Sequence, residues 1–268
     1  MYNLWRTVVA IFKFMLFWIA VFVQIPIVIL IPKGPLSVAY SRIFYKVLMD
    51  IVGVKIKVIG KLSDKRPLLL VSNHVSIFEL ATFPVAFGAS FFSKTEVAKY
   101  PLIGWFAKKF GVIFISRDRA GALDAVEKIN KAMEHVPYPM TLFPEGITTT
   151  GTYIAPFKSS MFNVVENNPK LTIQPVVMIY RDRKGNKIPD EVMSAEYADY
   201  ALARQMPGEL IMRKKDGVAF GTAFHLMKLG GCVVEFYLLP PPPLADMNRK
   251  EIAARLHEII SDEFYKLK

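Results

Sequence analysis

At 268 residues the chain has room for one α/β domain with appendages, and at 53% hydrophobic residues with a mean hydropathy of +0.31 it is too apolar for an ordinary soluble enzyme. Lys and Arg outnumber Asp and Glu by 34 to 23, a net charge of +11; apolar and basic together suit an anionic lipid surface, and no Lys/Arg run or nucleic-acid module supports a nucleic-acid partner. Cys232 is the one cysteine, which excludes an internal disulfide, and the four histidines are scattered, which leaves no metal-ligand cluster.

Residues 7–32 carry one charge, Lys13. As a helix they would reach about 39 Å, more than the roughly 30 Å of a hydrocarbon core. A signal peptide would have a shorter apolar region and a better cleavage site than Ser37-Val38-Ala39. A spanning helix fits on length, and a monotopic insertion fits because Pro26 and Pro32 invite a break and Lys13 can lie at the interface. More basic residues follow the run (Lys33, Arg42, Lys46) than precede it (Arg6), which places the rest of the chain on the cytoplasmic side. Residues 41–52 form a second amphipathic helix with Ile43, Phe44, Val47, Leu48 and Ile51 on one face, and the alternation of 54–59 (VKIKVI) is a half-buried strand. The division expected is residues 1–52 as membrane-anchoring helices and 53–268 as the main domain.

Leu68-Leu69-Leu70-Val71 is an apolar run that stops at Ser72-Asn73-His74, the pattern of a buried strand whose end meets a ligand. His74 can accept a proton near neutral pH, and Glu79 could hold its other ring nitrogen. Five residues along one helix would put the two on different faces, so the pairing needs His74 before the helix and Glu79 in its first turn. Ser76-Ile77-Phe78-Glu79 also reads as a capping box, and spacing alone favours that role for Glu79.

Further along, 90–94 is a strand, and 111–117 is a β-branched strand delivering Arg117-Asp118-Arg119. Arginines at a strand end suit a phosphate, against the alternative of a solvated turn. Residues 120–136 form an amphipathic helix with His135 at its surface. Residues 140–143 form a strand running into the Pro144-Glu145-Gly146 turn, followed by Phe157-Lys158-Ser159-Ser160 with one cation, Lys158. Residues 171–180 and 232–239 are buried strands, the second closed by Pro240 to Pro243. Residues 182–229 give little signal. A capped amphipathic helix covers 247–266, with His257 outward.

Four blocks in this order resemble the glycerolipid acyltransferases, the superfamily of lysophosphatidic acid and lysophospholipid acyltransferases. Asn73-His74-x4-Glu79 matches its first block with Glu for Asp, Gly111 to Arg117 its second, Phe143-Pro144-Glu145-Gly146 its third, and Gln174 to Tyr180 its fourth. The resemblance implies an α/β fold, a mixed sheet covered by helices of the glycerol-3-phosphate acyltransferase-like kind, behind an N-terminal apolar membrane helix motif. It also implies an acyl transfer in which His74 is the base and Glu79 its orienter. Asn73, Arg117, Glu145, Gly146 and Lys158 would be on the substrate, with no metal and no cofactor. The donor would be acyl-CoA or acyl-carrier protein. The acceptor would be a lysophospholipid, 1-acyl-sn-glycerol-3-phosphate or a relative, in a membrane of lipids on the cytoplasmic face. Ile147 and Thr148 depart from the family's Thr-Arg, so a guanidinium is missing. That departure keeps two alternatives open: a non-phosphate lyso-aminolipid acceptor, or a lipid-binding relic without turnover.

Overall fold

The computed structural model describes residues 4–99, 101–115, 133, 135–166, 168, 170–188, 218–244 and 246–268. Helices α1 (Leu4–Leu30) and α2 (Pro35–Val52) lead into a seven-stranded sheet. Its strands are β1 (Val54–Ile59), β2 (Leu68–Ser72), β3 (Ser90–Lys94), β4 (Ile113–Ile115), β5 (Met140–Leu142), β6 (Thr172–Arg181) and β7 (Cys232–Leu238). They lie in the order β1-β7-β6-β2-β5-β3-β4. All neighbours are parallel except β6 and β7. The sheet is therefore mixed: β1 and β7 run against the other five strands. The longer helices that follow are α3 (Glu79–Phe87), α4 (Pro101–Lys109), α5 (Val218–Leu229) and α6 (Arg249–Leu267).

The strand β2 is buried throughout, and apolar up to Val71, because it has a core on each face. Leu68 and Leu70 point to one core, shared with Phe44 and Leu48 of α2, Phe83 and Phe87 of α3, and Met227 of α5. Leu69 and Val71 point to the other, filled by Ile252, Leu256, Ile260 and Phe264 of α6. That alternation is the period of two of a pleated strand. The first core crosses the expected 52/53 boundary, since Ala10, Val21 and Val28 of α1 belong to it.

The break expected at Pro26 is absent: α1 runs unbroken through it to Leu30. Docking explains the tolerance. Ala10, Val21, Gln24 and Val28 are buried, and the Gln24 side chain accepts a hydrogen bond from the Tyr40 hydroxyl of α2 at 3.3 Å. Tertiary contacts of this kind offset one lost backbone bond. The opposite face, including Trp5, Phe12, Ile19, Phe22 and Val23, is exposed. The N-terminus of α2 moves back from the expected 41 to Pro35, a residue suited to the first helical position. His257 is not outward as expected; its Nε2 is buried and its ring stands edge-on to Phe157 at 5.0 Å. The helix expected over 120–136 lies largely outside the described residues.

Candidate active site

Three parallel neighbours, β6, β2 and β5, end side by side and bring their following residues together. This is the carboxyl edge at which open α/β sheets place ligands. Asn73 stands just beyond β2. Its side-chain amide donates to the Met178 carbonyl at 2.9 Å and accepts from the Met178 N–H at 2.8 Å. The side chain thereby continues the pairing with β6 by one residue while the backbone turns away. Its polar atoms are spent on that bond and it is 2% exposed, so the expected substrate contact is replaced by a structural one.

His74 follows and is held on every side. Its N–H donates to Glu145 Oε1 at 2.6 Å, and its carbonyl accepts from the Thr149 N–H at 2.9 Å. Its ring stacks on Phe143, centroids 4.4 Å apart and planes 15° apart. Nδ1 meets Glu79 Oε2 at 2.5 Å. A carboxylate at Nδ1 favours the tautomer with the proton there, which leaves the Nε2 lone pair able to accept another. The side chain keeps 19% exposure, enough for a substrate hydroxyl to reach it.

Glu79 is the first residue of α3, and residues 73–78 form a turn. The five-residue spacing is thus spanned without a helix, as the pairing requires. One side chain makes both of the contacts expected of Glu79. It accepts from the Ser76 N–H at 2.8 and 2.9 Å, as a capping residue does, and from His74 at the same time. It also accepts from the Val75 N–H at 3.2 Å and from the Tyr180 hydroxyl at 2.6 Å. The carboxylate is fully buried and surrounded by donors, the condition under which a buried anion is tolerated.

Glu145 lies beneath this turn. Its two oxygens accept from the His74 and Ala155 amides at 2.6 and 2.7 Å, and it is 1% exposed. Burial pushes its carboxyl up to about 8, with the two amides opposing and Glu79 adding to the rise. Held this way, Glu145 anchors the His74 backbone, and its carboxylate has no exposed surface for the expected substrate contact. Gly146 closes the tight turn with its N–H on the Phe143 carbonyl at 3.1 Å and a φ of 67°. Lys158 lies against it: a Cβ on Gly146 would stand 3.0 Å from Lys158 Nζ. The structure therefore gathers His74, Glu79, Asn73, Glu145, Gly146 and Lys158 at one edge. Arg117 lies outside the described residues.

Tyr180, Phe143 and Thr149 are the residues that sequence reasoning did not single out. Each lies within or beside a quoted block, but nothing in its local spacing points to His74 or Glu79.

Residues 54–179 match the family described as Acyltransferase. The chain is similar to a lyso-ornithine lipid O-acyltransferase of Brucella abortus, 31% identical over 51% of this chain and 54% of that protein. A lyso-ornithine lipid O-acyltransferase of Rhodobacter capsulatus is 28% identical over 82% of this chain and 74% of its own length. A 1-acyl-sn-glycerol-3-phosphate acyltransferase of Neisseria meningitidis is 26% identical over 54% of this chain and 55% of its own length. The chain thus spans about half the length of the first and third of these and about three quarters of the second. The crystal structure of the 1-acyl-sn-glycerophosphate acyltransferase PlsC from Thermotoga maritima superposes with a TM-score of 0.63 over 98% of this chain and 97% of that one, at 14% identity, and so shares the fold. With the ordered blocks, the His74–Glu79 pair at the sheet edge and these likenesses together, residues 54–179 are a PlsC-like acyltransferase domain.

Proposed function

We propose that this protein transfers a fatty acyl group from an acyl thioester to the free hydroxyl of a lysolipid. The observation that carries the reading is the base: Nε2 of His74 is reachable while Nδ1 is fixed by a fully buried carboxylate. The acceptor hydroxyl gives its proton to Nε2 as its oxygen attacks the thioester carbonyl. The imidazolium, stabilised by Glu79, then returns the proton to the departing thiolate. No activated serine or cysteine stands at this edge among the described residues, and Cys232 is buried in β7, so the attack is direct. The donor in this reading is acyl-CoA or an acyl-carrier protein. An intact, buried pair has no use in a lipid-binding relic, which disfavours that alternative.

For the acceptor, a lysoglycerophospholipid fits the family as a whole. A lyso-aminolipid is favoured by two observations: Thr148 stands where the family carries an arginine, and two of the relatives above act on lyso-ornithine lipid by their names. Purified protein incubated with 1-acyl-glycerol-3-phosphate, lysophosphatidylethanolamine and lyso-ornithine lipid, each with acyl-CoA and acyl-carrier protein, tests both. Mass spectrometry identifies the product, and a panel without any His74-dependent product would sink the acyl-transfer reading.

The α1 helix anchors the protein by lying in the membrane interface rather than crossing it. Its docked residues run from Ala10 to Val28, a length of about 27 Å. Were α1 to span a core of roughly 30 Å, the α/β domain packed along it would be dragged into the hydrocarbon. One face on the domain and one in lipid resolves this, with the domain on the cytoplasmic side as the flanking charges indicate.

A further inference from the structure

Among the described residues four groups donate to the Glu79 carboxylate, and three of them belong to its own turn: His74, Val75 and Ser76. The fourth comes from 101 residues away, the Tyr180 hydroxyl near the end of β6. The two oxygens are not equivalent. Oε2 carries His74 Nδ1 together with both amides. Oε1 carries Tyr180 at 2.6 Å and a share of the Ser76 N–H at 2.9 Å. Without the phenol, Oε1 would keep only that shared bond, on a carboxylate with no exposed surface. The terminal torsion of a glutamate is broad, so such a carboxylate can rotate or take up a proton, and either event loosens its hold on His74. A short phenol-to-carboxylate bond is charge-assisted and directional. It also depends on reach, because an aspartate here would end one methylene sooner.

We propose that Tyr180 is a positioning residue for the acyl transfer, which locks the Glu79 carboxylate on His74 Nδ1 and makes a glutamate serviceable where the family pattern has aspartate. The inference rests on the acyl-transfer reading. The bland alternative is a core tyrosine whose hydroxyl found the nearest acceptor, with no bearing on the base.

Two changes at position 180 separate these. Tyr180→Phe deletes the hydroxyl, and 3-fluorotyrosine at 180 keeps it while making it a stronger donor, so the second carries the test should the first not fold. Tyr180→Phe should lower kcat about tenfold with KM unchanged, the effect of one lost hydrogen bond to a charged group. The acid limb of kcat/KM should move to lower pH, since a carboxylate no longer held on Nδ1 stabilises the imidazolium less, and fluorotyrosine, which tightens the lock, should move it higher. Glu145 on the His74 backbone, Tyr153 beside Glu145, and Lys158 against Gly146 are unchanged in every variant, so the shift reports residue 180. In a Glu79→Asp background, Tyr180→Phe should cost less than about twofold, because the bond is already out of reach. Nitrogen NMR of the His74 ring follows the same titration without substrate; with four histidines, His74→Ala assigns the signal. A kcat within about twofold of wild type with both titrations unmoved would overturn the proposal, as would an equal loss in the Glu79→Asp background. A wild type inactive on every lipid, but with the ring titration shifting as described, would remove the acyl-transfer reading and leave the positioning role standing.

Discussion

A carboxylate that only accepts, set among groups that only donate to it, leaves little room for substitution, and Glu79 is such a group. Capping alone would let glutamine replace it, since glutamine serves at the third position of a capping box. The geometry argues otherwise: Oε1 and Oε2 are both engaged, so a carboxamide at this position must turn its NH2 towards either His74 or another donor. Glu79→Gln should therefore lower kcat by about 10²-fold, the usual worth of general-base assistance, and lower the melting temperature as well. A variant that melts like wild type and keeps activity within about threefold would reduce Glu79 to a cap. Glu145 calls for a different test. Glu145→Ala leaves the His74 and Ala155 amides without their acceptor, at about 1–3 kcal/mol each if water does not enter. The expected result is a marked loss of stability and of kcat, with little change in KM; a raised KM alone would return Glu145 to the substrate.

Elements were legible where pattern is local. The alternation of 54–59 and the apolar run of β3 predict strands that the structure places at Val54–Ile59 and Ser90–Lys94. The buried run before His74 predicts β2 and the turn that follows it. What escaped depends on partners distant in sequence. Pro26 predicts a break by its own chemistry, and packing against α2 and α5 offsets it in an α1 that stays continuous. Asn73 and Glu145 look like substrate ligands until Met178, Ala155 and the His74 backbone are seen to occupy them. Because α1 supplies Ala10, Val21 and Val28 to the core, deleting it would mix loss of anchoring with loss of folding. Charges on its outer face avoid this. Phe12→Glu, Ile19→Glu and Val23→Glu together leave the docked residues intact, and each acidic group costs up to about 2.5–3.5 kcal/mol at hydrocarbon depth. The triple variant should stay folded and cease to sediment with vesicles; continued sedimentation in high salt would mean that the anchor lies elsewhere.

Across the whole molecule, charge and burial pull on stability in separate ways. The net charge of +11 should strengthen binding to vesicles containing anionic lipid, and added salt should weaken that part while sparing the part due to α1. Binding to neutral and anionic vesicles over a salt series reads the two apart, and identical salt curves would dismiss the charge. Glu145 sets a pH dependence of the fold. Its carboxyl, pushed up to about 8, holds a proton more tightly in the folded than in the unfolded chain. The stability this gives is complete below the ordinary carboxyl range and is lost as pH rises through about 8. Melting temperatures should therefore decline from the ordinary carboxyl range up to about pH 8 and level off above it, and Glu145→Gln should flatten the decline. The two-faced docking of α1 has a consequence of its own. On the interfacial anchoring proposed above, a helix with its inner face in the core and its outer face in lipid makes the bilayer a ligand of the native state. Vesicles should then raise the melting temperature in proportion to the logarithm of their concentration, so that for this protein the surrounding lipid is one of the variables that set its stability.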